Sequence, residues 1–418
     1  MEVAHRKVNR PEQAVILCGG LGTRMRPYTN TMPKPMVPCN GMPFLWHLLQ
    51  QLNDLGIRRH FLLTGYRAEQ IEEYFKDGSE WEWQIQYYQG PVEWDTGKRI
   101  WEAKDKLDDR FLLLYSDNFV PFPMDKVLAL HERNRSALTF MVSPKSPGNI
   151  ALDETGTVQK YDNNRFTELG YVEIGYMIVE KEKTLEFFET PECSFSSILR
   201  KMAPQEQISA WVQHDAYHSI SDPERWQKTE AYLKPKKILL IDRDGVINRK
   251  APQGEYISRW EDFEWIPETR EAMKQLAKEG FQFIVISNQA GIARGMIDPE
   301  ELECIHRNMT EELQKDGIHI LDIYFCPHHW NEKCVCRKPN PGMLFQASKE
   351  HLFRLDKTMF IGDDPRDCQT AWRAGCCSVF LGDASELTNF TGNEQPKCIE
   401  SGLENSLGFI KKYFNQSL

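Results

Sequence analysis

Ile16–Arg26 reads ILCGGLGTRMR, and far downstream Leu239–Asn248 reads LLIDRDGVIN. Each is an apolar run that breaks into a polar cluster, the pattern of a buried strand feeding a loop. The first loop offers glycines, a threonine and an arginine. These suit a polyphosphate, because glycine lets backbone N–H groups approach phosphate oxygens without a Cβ in the way. The second offers two carboxylates, Asp242 and Asp244, which suit Mg²⁺ and a nucleophile. Two different phosphorus chemistries are implied on one chain.

At 418 residues the chain is too long for one ordinary core, so two domains are expected. A hydrophobic share of 41% beside 27% charged residues is that of a globular protein. No apolar run approaches the roughly 20 residues that span a bilayer, and MEVAHRKVNRPEQ at the start lacks a signal-peptide core. Eleven cysteines without a signal point to a reducing compartment, with thiols free or on metal. The expectation is a cytoplasmic protein with no membrane partner. A net charge of −10 argues against nucleic acid, and leaves anionic substrates to locally placed Arg, Lys and backbone N–H groups.

Residues 14–17 read as a strand, 43–55 as a helix, 59–64 and 111–114 as strands, and 137–180 as strand-rich. Residues 224–233 read as a helix closing the first unit. Lys234-Pro235-Lys236-Lys237 is a charged, proline-bearing joint. Beyond it, strands are expected at 238–241, 283–286, 323–325, 358–361 and 378–381. Helices are expected at 267–279, 299–315, 342–351, 366–374 and 403–414. Strands alternating with helices predict α/β architecture in two doubly wound domains, 1–233 and 238–418, with 234–237 as linker.

The string GGLGTRMRP-x-T-x-x-x-PKPMVP, from Gly19 to Pro38, is far more specific than a glycine turn. It resembles the sugar-1-phosphate nucleotidyltransferase family, over residues 12–233. The resemblance implies a Rossmann-like fold and in-line attack by a sugar 1-phosphate on the α-phosphorus of a nucleoside triphosphate, with pyrophosphate released. It places Gly19, Gly20, Gly22 and Thr23 on the nucleotide, and Arg24 and Lys34 on the transition-state charge. Thr96 and Gly97, in Trp94-Asp95-Thr96-Gly97, fall where the family holds the base, although Lys98 replaces a common glycine. Asp117 falls where the family binds Mg²⁺. Glu173 and Gly175 fall at the sugar site. Two departures stand out. Ser219 occupies the place of a second metal aspartate, with Asp222 three residues along, and Asp162-Asn163 replaces a Glu-Lys pair. They leave open an altered metal site, an unusual substrate or an impaired domain that only binds nucleotide.

In the second unit, Asp242 and Asp244, Ser287, Lys338 and Asp363 recur in order, mostly at strand ends, where parallel α/β sheets build their sites. Cys326-Pro327-His328 and Cys334-Val335-Cys336 form C-x-H and C-x-C pairs that fit a tetrahedral, structural Zn²⁺; buried packing thiols are the alternative. The ordered set resembles the haloacid-dehalogenase (HAD) phosphatase superfamily, over roughly 237–390. It implies Asp242 as nucleophile, Asp244 as general acid and base, and Ser287 and Lys338 on the phosphoryl oxygens. Mg²⁺ would lie between Asp242, the Asp244 carbonyl and Asp363, with Asp364 a weaker candidate. The stretches NQAGIARG (288–295) and CRKPNPGM (336–343), with the zinc loop, narrow the resemblance to D-glycero-D-manno-heptose-1,7-bisphosphate 7-phosphatases and their histidinol-phosphatase relatives. In that reading Asn288 contacts substrate, and Arg294 and Arg337 hold the phosphate that is not cleaved.

Joined, the halves imply a bifunctional enzyme of nucleotide-sugar synthesis, with Mg²⁺ in both domains and Zn²⁺ in the second. Its partners would be sugar phosphates and an NTP. GTP is expected, CTP and UTP are alternatives, and a homo-oligomer is compatible. A histidinol or other polyol phosphatase fused to an unrelated transferase is the competing reading.

Overall fold

The computed structural model describes residues 9–390 and 392–417. The chain divides into two compact units, Met1–Glu230 and Ala231–Leu418. The division falls inside the helix Pro223–Leu233, upstream of the joint expected at 234–237. That joint is not free chain. The Lys236 ammonium donates to the carbonyls of Ala231, His351 and Leu352, which docks the segment on the second unit.

The first unit is built on a nine-stranded sheet. Four strands run parallel in the order Arg110–Tyr115, Gln13–Cys18, Arg59–Thr64, Gln84–Gln89. All six residues of Gln13–Cys18 are buried, as a strand covered on both faces requires. The sheet is not wholly parallel as expected. Tyr171–Glu180 pairs antiparallel with Arg110–Tyr115 and with Leu138–Pro144, because the strand-rich stretch returns without crossover helices. Trp94 and Asp95 lead into a helix, Thr96–Ala103, which opens with Thr96 and Gly97 and is capped by the Asp95 carboxylate.

The second unit is a six-stranded, all-parallel sheet in the order Ile320–Cys326, Gln282–Asn288, Ile238–Ile241, Met359–Gly362, Cys377–Leu381, Cys398–Glu400. Helices Pro267–Lys278, Pro299–Lys315, Gly342–His351, Pro365–Ala374 and Leu403–Ser417 complete it. The central strand ILLI is buried throughout, and its C-terminal end delivers Asp242 between the ends of both neighbours. Among the described residues, no helix is long and apolar enough to cross a membrane.

Candidate active sites

In the first unit the C-terminal ends of the parallel strands open onto a cavity of about 560 Å³. Gly19, Gly20, Gly22, Thr23, Arg24, Lys34, Thr96, Asp117 and Glu173 all line it. Gly22 has φ +61°, and a Cβ there would lie 2.9 Å from the Lys34 Cβ, so the loop needs glycine to let Lys34 in. The Lys34 ammonium sits 2.6 Å from the Asp117 carboxylate. Arg24 is exposed and forms no ion pair among the described residues, although its charge acts on Asp222. Gly97 and Gly175 are not among the lining residues. Gly97 packs against the Cys193 backbone, and the Gly175 N–H donates to the Glu173 carboxylate. Lys98 turns instead to Glu102 and Glu192, at 2.7 and 2.8 Å.

Glu173 also lines a second hollow with Asn149, Tyr161, Asn163 and Arg165, and Ser194 and Ser196 line both. Burial pushes the Glu173 carboxyl up to about 8; the Gly175 N–H opposes the shift and Asp117 adds to it. The site therefore offers a neutral acid beside cations. Ser219 does lie next to Asp117: it pairs in register with Asn118, and the Ile220 N–H donates to the Asp117 carbonyl at 3.0 Å. Its hydroxyl faces Ser221 at 3.1 Å and Arg225 at 3.4 Å. Asp222 caps the following helix through the Arg225 N–H at 2.9 Å. Among the described residues, no group of three metal-ligating side chains forms around Asp117.

In the second unit Lys338, 4% exposed, is the hub. Its ammonium lies 2.8 Å from Asp242 and 2.7 Å from Asp367. Burial opposes its charge, but Asp242 and Asp367 together hold its pKa above the ordinary lysine range. Burial pushes Asp242 up to about 7 against the pull of Lys338, with Asp367 and Asp244 adding to the rise. Burial likewise lifts Asp363 to about 6, against Lys250, whose ammonium is 2.7 Å away. Oxygens of Asp242, Asp363 and Asp367 lie within 4.8 Å of one another, and Asp363 Oδ1 is buried with no hydrogen-bond partner. Converging, under-neutralised oxygens of this kind fit a hard divalent cation.

The Asp244 carboxylate points elsewhere, accepting from Arg243, Asn248 at 3.0 Å and Gln289 at 2.9 Å. These donors hold it ionised, although burial opposes this. Ser287 accepts from Gln289 at 2.7 Å. Asn288 fixes the Lys338 peptide from both sides, at 3.0 and 3.2 Å. The Arg294 guanidinium is stacked between Tyr256 and Trp330, 5.6 and 5.2 Å from their ring centroids. Arg337 keeps one buried guanidinium nitrogen without a partner. Asp364 is engaged by Arg366 at 2.6 Å, away from the cluster.

Cys326, His328, Cys334 and Cys336 bring their ligand atoms within 4.8 Å of one another, with sulfur pairs at 3.3 and 3.7 Å. Four such ligands at Zn–S distances of about 2.3 Å give separations of this size. All the described cysteines are free. Asn340 and Gly342 tie the carbonyls of Cys334 and Val335 at 2.8 and 3.0 Å, which joins the cysteine–histidine loop to the segment carrying Lys338.

Sequence reasoning missed Asp367, Gln289, Arg243 and Arg99. Asp367 sits in Asp364-Pro365-Arg366-Asp367, where the only legible signal is a helix start; that helix opens with a capping box, and Asp367 serves it and Lys338 together.

Residues 13–203 match the family described as nucleotidyl transferase, and residues 237–374 the family described as polynucleotide kinase 3 phosphatase. The D-glycero-alpha-D-manno-heptose-1,7-bisphosphate 7-phosphatase of Photorhabdus laumondii is 35% identical over 152 residues, covering 35% of this chain and 81% of the relative. The D-glycero-beta-D-manno-heptose-1,7-bisphosphate 7-phosphatase of Pseudomonas putida is 37% identical over 145 residues, covering 35% and 82%. A solved structure of HddC from Yersinia pseudotuberculosis, complexed with GMP-PN, is 24% identical, covers 52% of this chain and 97% of its own, and has a TM-score of 0.45.

Proposed function

This chain belongs, through its second unit, to the D-glycero-D-manno-heptose-1,7-bisphosphate 7-phosphatase family and carries a nucleotidyl transferase unit on the same polypeptide, and we propose that the two units act in sequence. The second unit would convert heptose 1,7-bisphosphate to heptose 1-phosphate. The first would transfer a nucleotidyl group, from GTP in this reading, to that sugar 1-phosphate and release pyrophosphate. The observation that carries the proposal is the Lys338-centred cluster of Asp242, Asp363 and Asp367 on a chain that also holds a glycine-loop cavity.

In the phosphatase, an Asp242 carboxylate oxygen attacks phosphorus and the bond to the sugar oxygen breaks. Asp244 relays to that oxygen a proton that its carboxylate, ionised at rest, first takes up from the substrate's protonated phosphate. Water then attacks the aspartyl-phosphate, Asp244 takes the proton, and phosphate leaves Asp242. Lys338 and Ser287 hold the phosphoryl oxygens. Asn288 keeps the Lys338 peptide in place, and Arg294 and Arg337 take the second phosphate. Asp242, Asp363, Asp367 and the Asp244 carbonyl would hold Mg²⁺, which supplies charge neutralisation when bound. Cys326, His328, Cys334 and Cys336 would hold a structural Zn²⁺ that stiffens the Arg337–Lys338 segment.

In the transferase, Gly19, Gly20, Gly22 and Thr23 cradle the nucleotide, and Thr96 faces the base from a helix that Gly97 lets pack closely on Cys193. Arg24 and Lys34 face the phosphates, and Asp117 would hold Mg²⁺. Glu173, kept protonated, donates to a sugar hydroxyl, with Gly175 fixing its orientation. Ser219 beside Arg225 leaves this centre with one well-placed metal carboxylate, so it would work with one protein-bound metal.

The test is incubation with Mg²⁺, heptose 1,7-bisphosphate and each NTP in turn, with products followed by mass spectrometry. An NDP-heptose with one NTP, plus free phosphate, is expected. Release of phosphate with no nucleotide sugar from any NTP would remove the transferase half. No release of phosphate would remove the heptose reading and favour another phosphate ester such as histidinol phosphate.

A further inference from the structure

Arg99 is 4% exposed, on the helix Thr96–Ala103 beneath the glycine loop, and it lines the cavity of the first unit. It forms no ion pair with a carboxylate among the described residues. Glu93 and Asp95, whose charges act on it, are exposed. Its partners are backbone carbonyls instead: Thr64 and Pro91, both at 2.7 Å, Gly19 at 3.4 Å and Val92 at 3.5 Å. Gly19 follows the strand Gln13–Cys18, Thr64 ends Arg59–Thr64, and Pro91 lies just past Gln84–Gln89. These three strands are neighbours in the sheet. The packing is close: a Cβ on Gly19 would lie 2.2 Å from the Arg99 guanidinium carbon.

Burying a cation without a counter-ion is costly, and carbonyl dipoles compensate only in part. Left alone, the strand ends would present carbonyl oxygens to a polyphosphate, which repel it. Resting on the transferase reading above, we propose that Arg99 is the resident counter-charge for the nucleotide's triphosphate. It caps the carbonyls of three adjacent strand ends and turns the cavity floor cationic. The apo cleft is then a site with its positive charge already placed, and the ligand supplies the missing anion. Arg99 is a positioning residue in this scheme: it acts through the floor it builds and through its charge, and no proton or bond moves at it.

The experiment compares the full-length wild type with Arg99→Gln and Arg99→Lys, measuring the affinities of Mg-GTP and of guanosine by calorimetry or competition. If the product assay selects another NTP, that NTP and its nucleoside take their place. Gln keeps an amide donor for the carbonyls and removes the charge; Lys keeps the charge. Arg99→Gln is expected to weaken the triphosphate by about 10-fold or more while leaving the nucleoside unchanged, and Lys to restore much of the loss. Unchanged nucleoside binding also reports that the variant is folded. Equal losses for both ligands would make Arg99 a scaffold alone and overturn the proposal, as would no loss for either. A wild-type protein that neither binds an NTP nor releases pyrophosphate would remove the transferase reading and this inference with it, an outcome distinct from the other two.

Discussion

The two clefts handle charge in opposite ways. In the phosphatase unit each cation near the reacting atoms is paired before any ligand arrives: Lys338 with Asp242 and Asp367, Lys250 with Asp363, Arg243 with Asp244. Of the cations lining the transferase cavity, Lys34 is paired with Asp117, while Arg24 and Arg99 form no ion pair among the described residues, with Asp95 and Glu173 lining the same cavity. The difference follows from what each cleft must do. A phosphatase that forms a bond to its own carboxylate must store that carboxylate safely in a dry site. A transferase whose ligand carries all the negative charge can leave its cations waiting.

The strongest way to break this contrast is Asp242→Asn. Phosphate release is expected to fall by roughly 10⁴-fold or more, because an amide cannot form the aspartyl-phosphate. Pyrophosphate release from NTP and added heptose 1-phosphate should be untouched. A variant that keeps its phosphatase rate would end the nucleophile assignment. Next in size is Lys338→Met. It strands two buried carboxylates, and breaking such a pair costs about 3–5 kcal/mol. A large drop in the melting temperature of the second unit should therefore accompany the lost activity, and should be smaller at acid pH, where Asp242 and Asp367 can be protonated. Unchanged thermal melting at pH 7 would show that the paired network is not holding the unit together.

How much of this was legible in the chain depends on whether the signal was local. The strands Arg59–Thr64 and Ile238–Ile241 have the expected limits because their apolar runs are bounded by Arg59 and Gly65 in the first and by Lys237 and Asp242 in the second. The helix Pro299–Lys315 also matches, with Asp298 capping a Pro-Glu-Glu start. The helix Ala68–Phe75 escaped notice because only Ala68, Ile71 and Phe75 are buried in an otherwise charged stretch. The glycine loop, Asp242, Lys338 and the Cys326–Cys336 cluster announce themselves by short spacing. Asp367 and Arg99 do not: each is a charged residue on a helix, and only tertiary packing reveals that it is buried against strand ends. What the sequence hides is therefore mainly the buried charge that braces a site, not the charge that announces it.

A third effect should touch one unit alone. Cys334→Ser would remove one of the four proposed zinc ligands, and a chelator the ion itself. The expected results are loss of about one zinc per chain by metal analysis, a fall in the second unit's melting temperature, and weaker phosphatase activity as the Lys338 segment loosens. Nucleotidyl transfer should be unaffected. A fully active, stable variant with no zinc in the wild type would leave the four residues as packing thiols and an imidazole.

The smallest expected effect tests the quieter half of the comparison. Glu173 is held protonated, its pKa raised from 4.5 to about 8, chiefly by burial. The folded state then binds a proton that the unfolded chain has already lost over that interval. The contribution of Glu173 to stability must fall as pH rises from about 4.5 to about 8 and level off beyond. The loss should be on the order of 1–2 kcal/mol, because Glu173 lines a water-accessible cavity that screens part of the cost. Glu173→Gln carries no titrating proton at this position, so this contribution is absent from it, while those of other groups such as His60 and Asp363 are common to both proteins. Its advantage over the wild type should grow steadily toward pH 8 and vanish near pH 4.5. Thermal melts of both proteins across that range decide it. Parallel curves would mean that Glu173 is ionised in the resting cleft, placing a carboxylate among the waiting cations and making the two sites more alike than their geometry indicates.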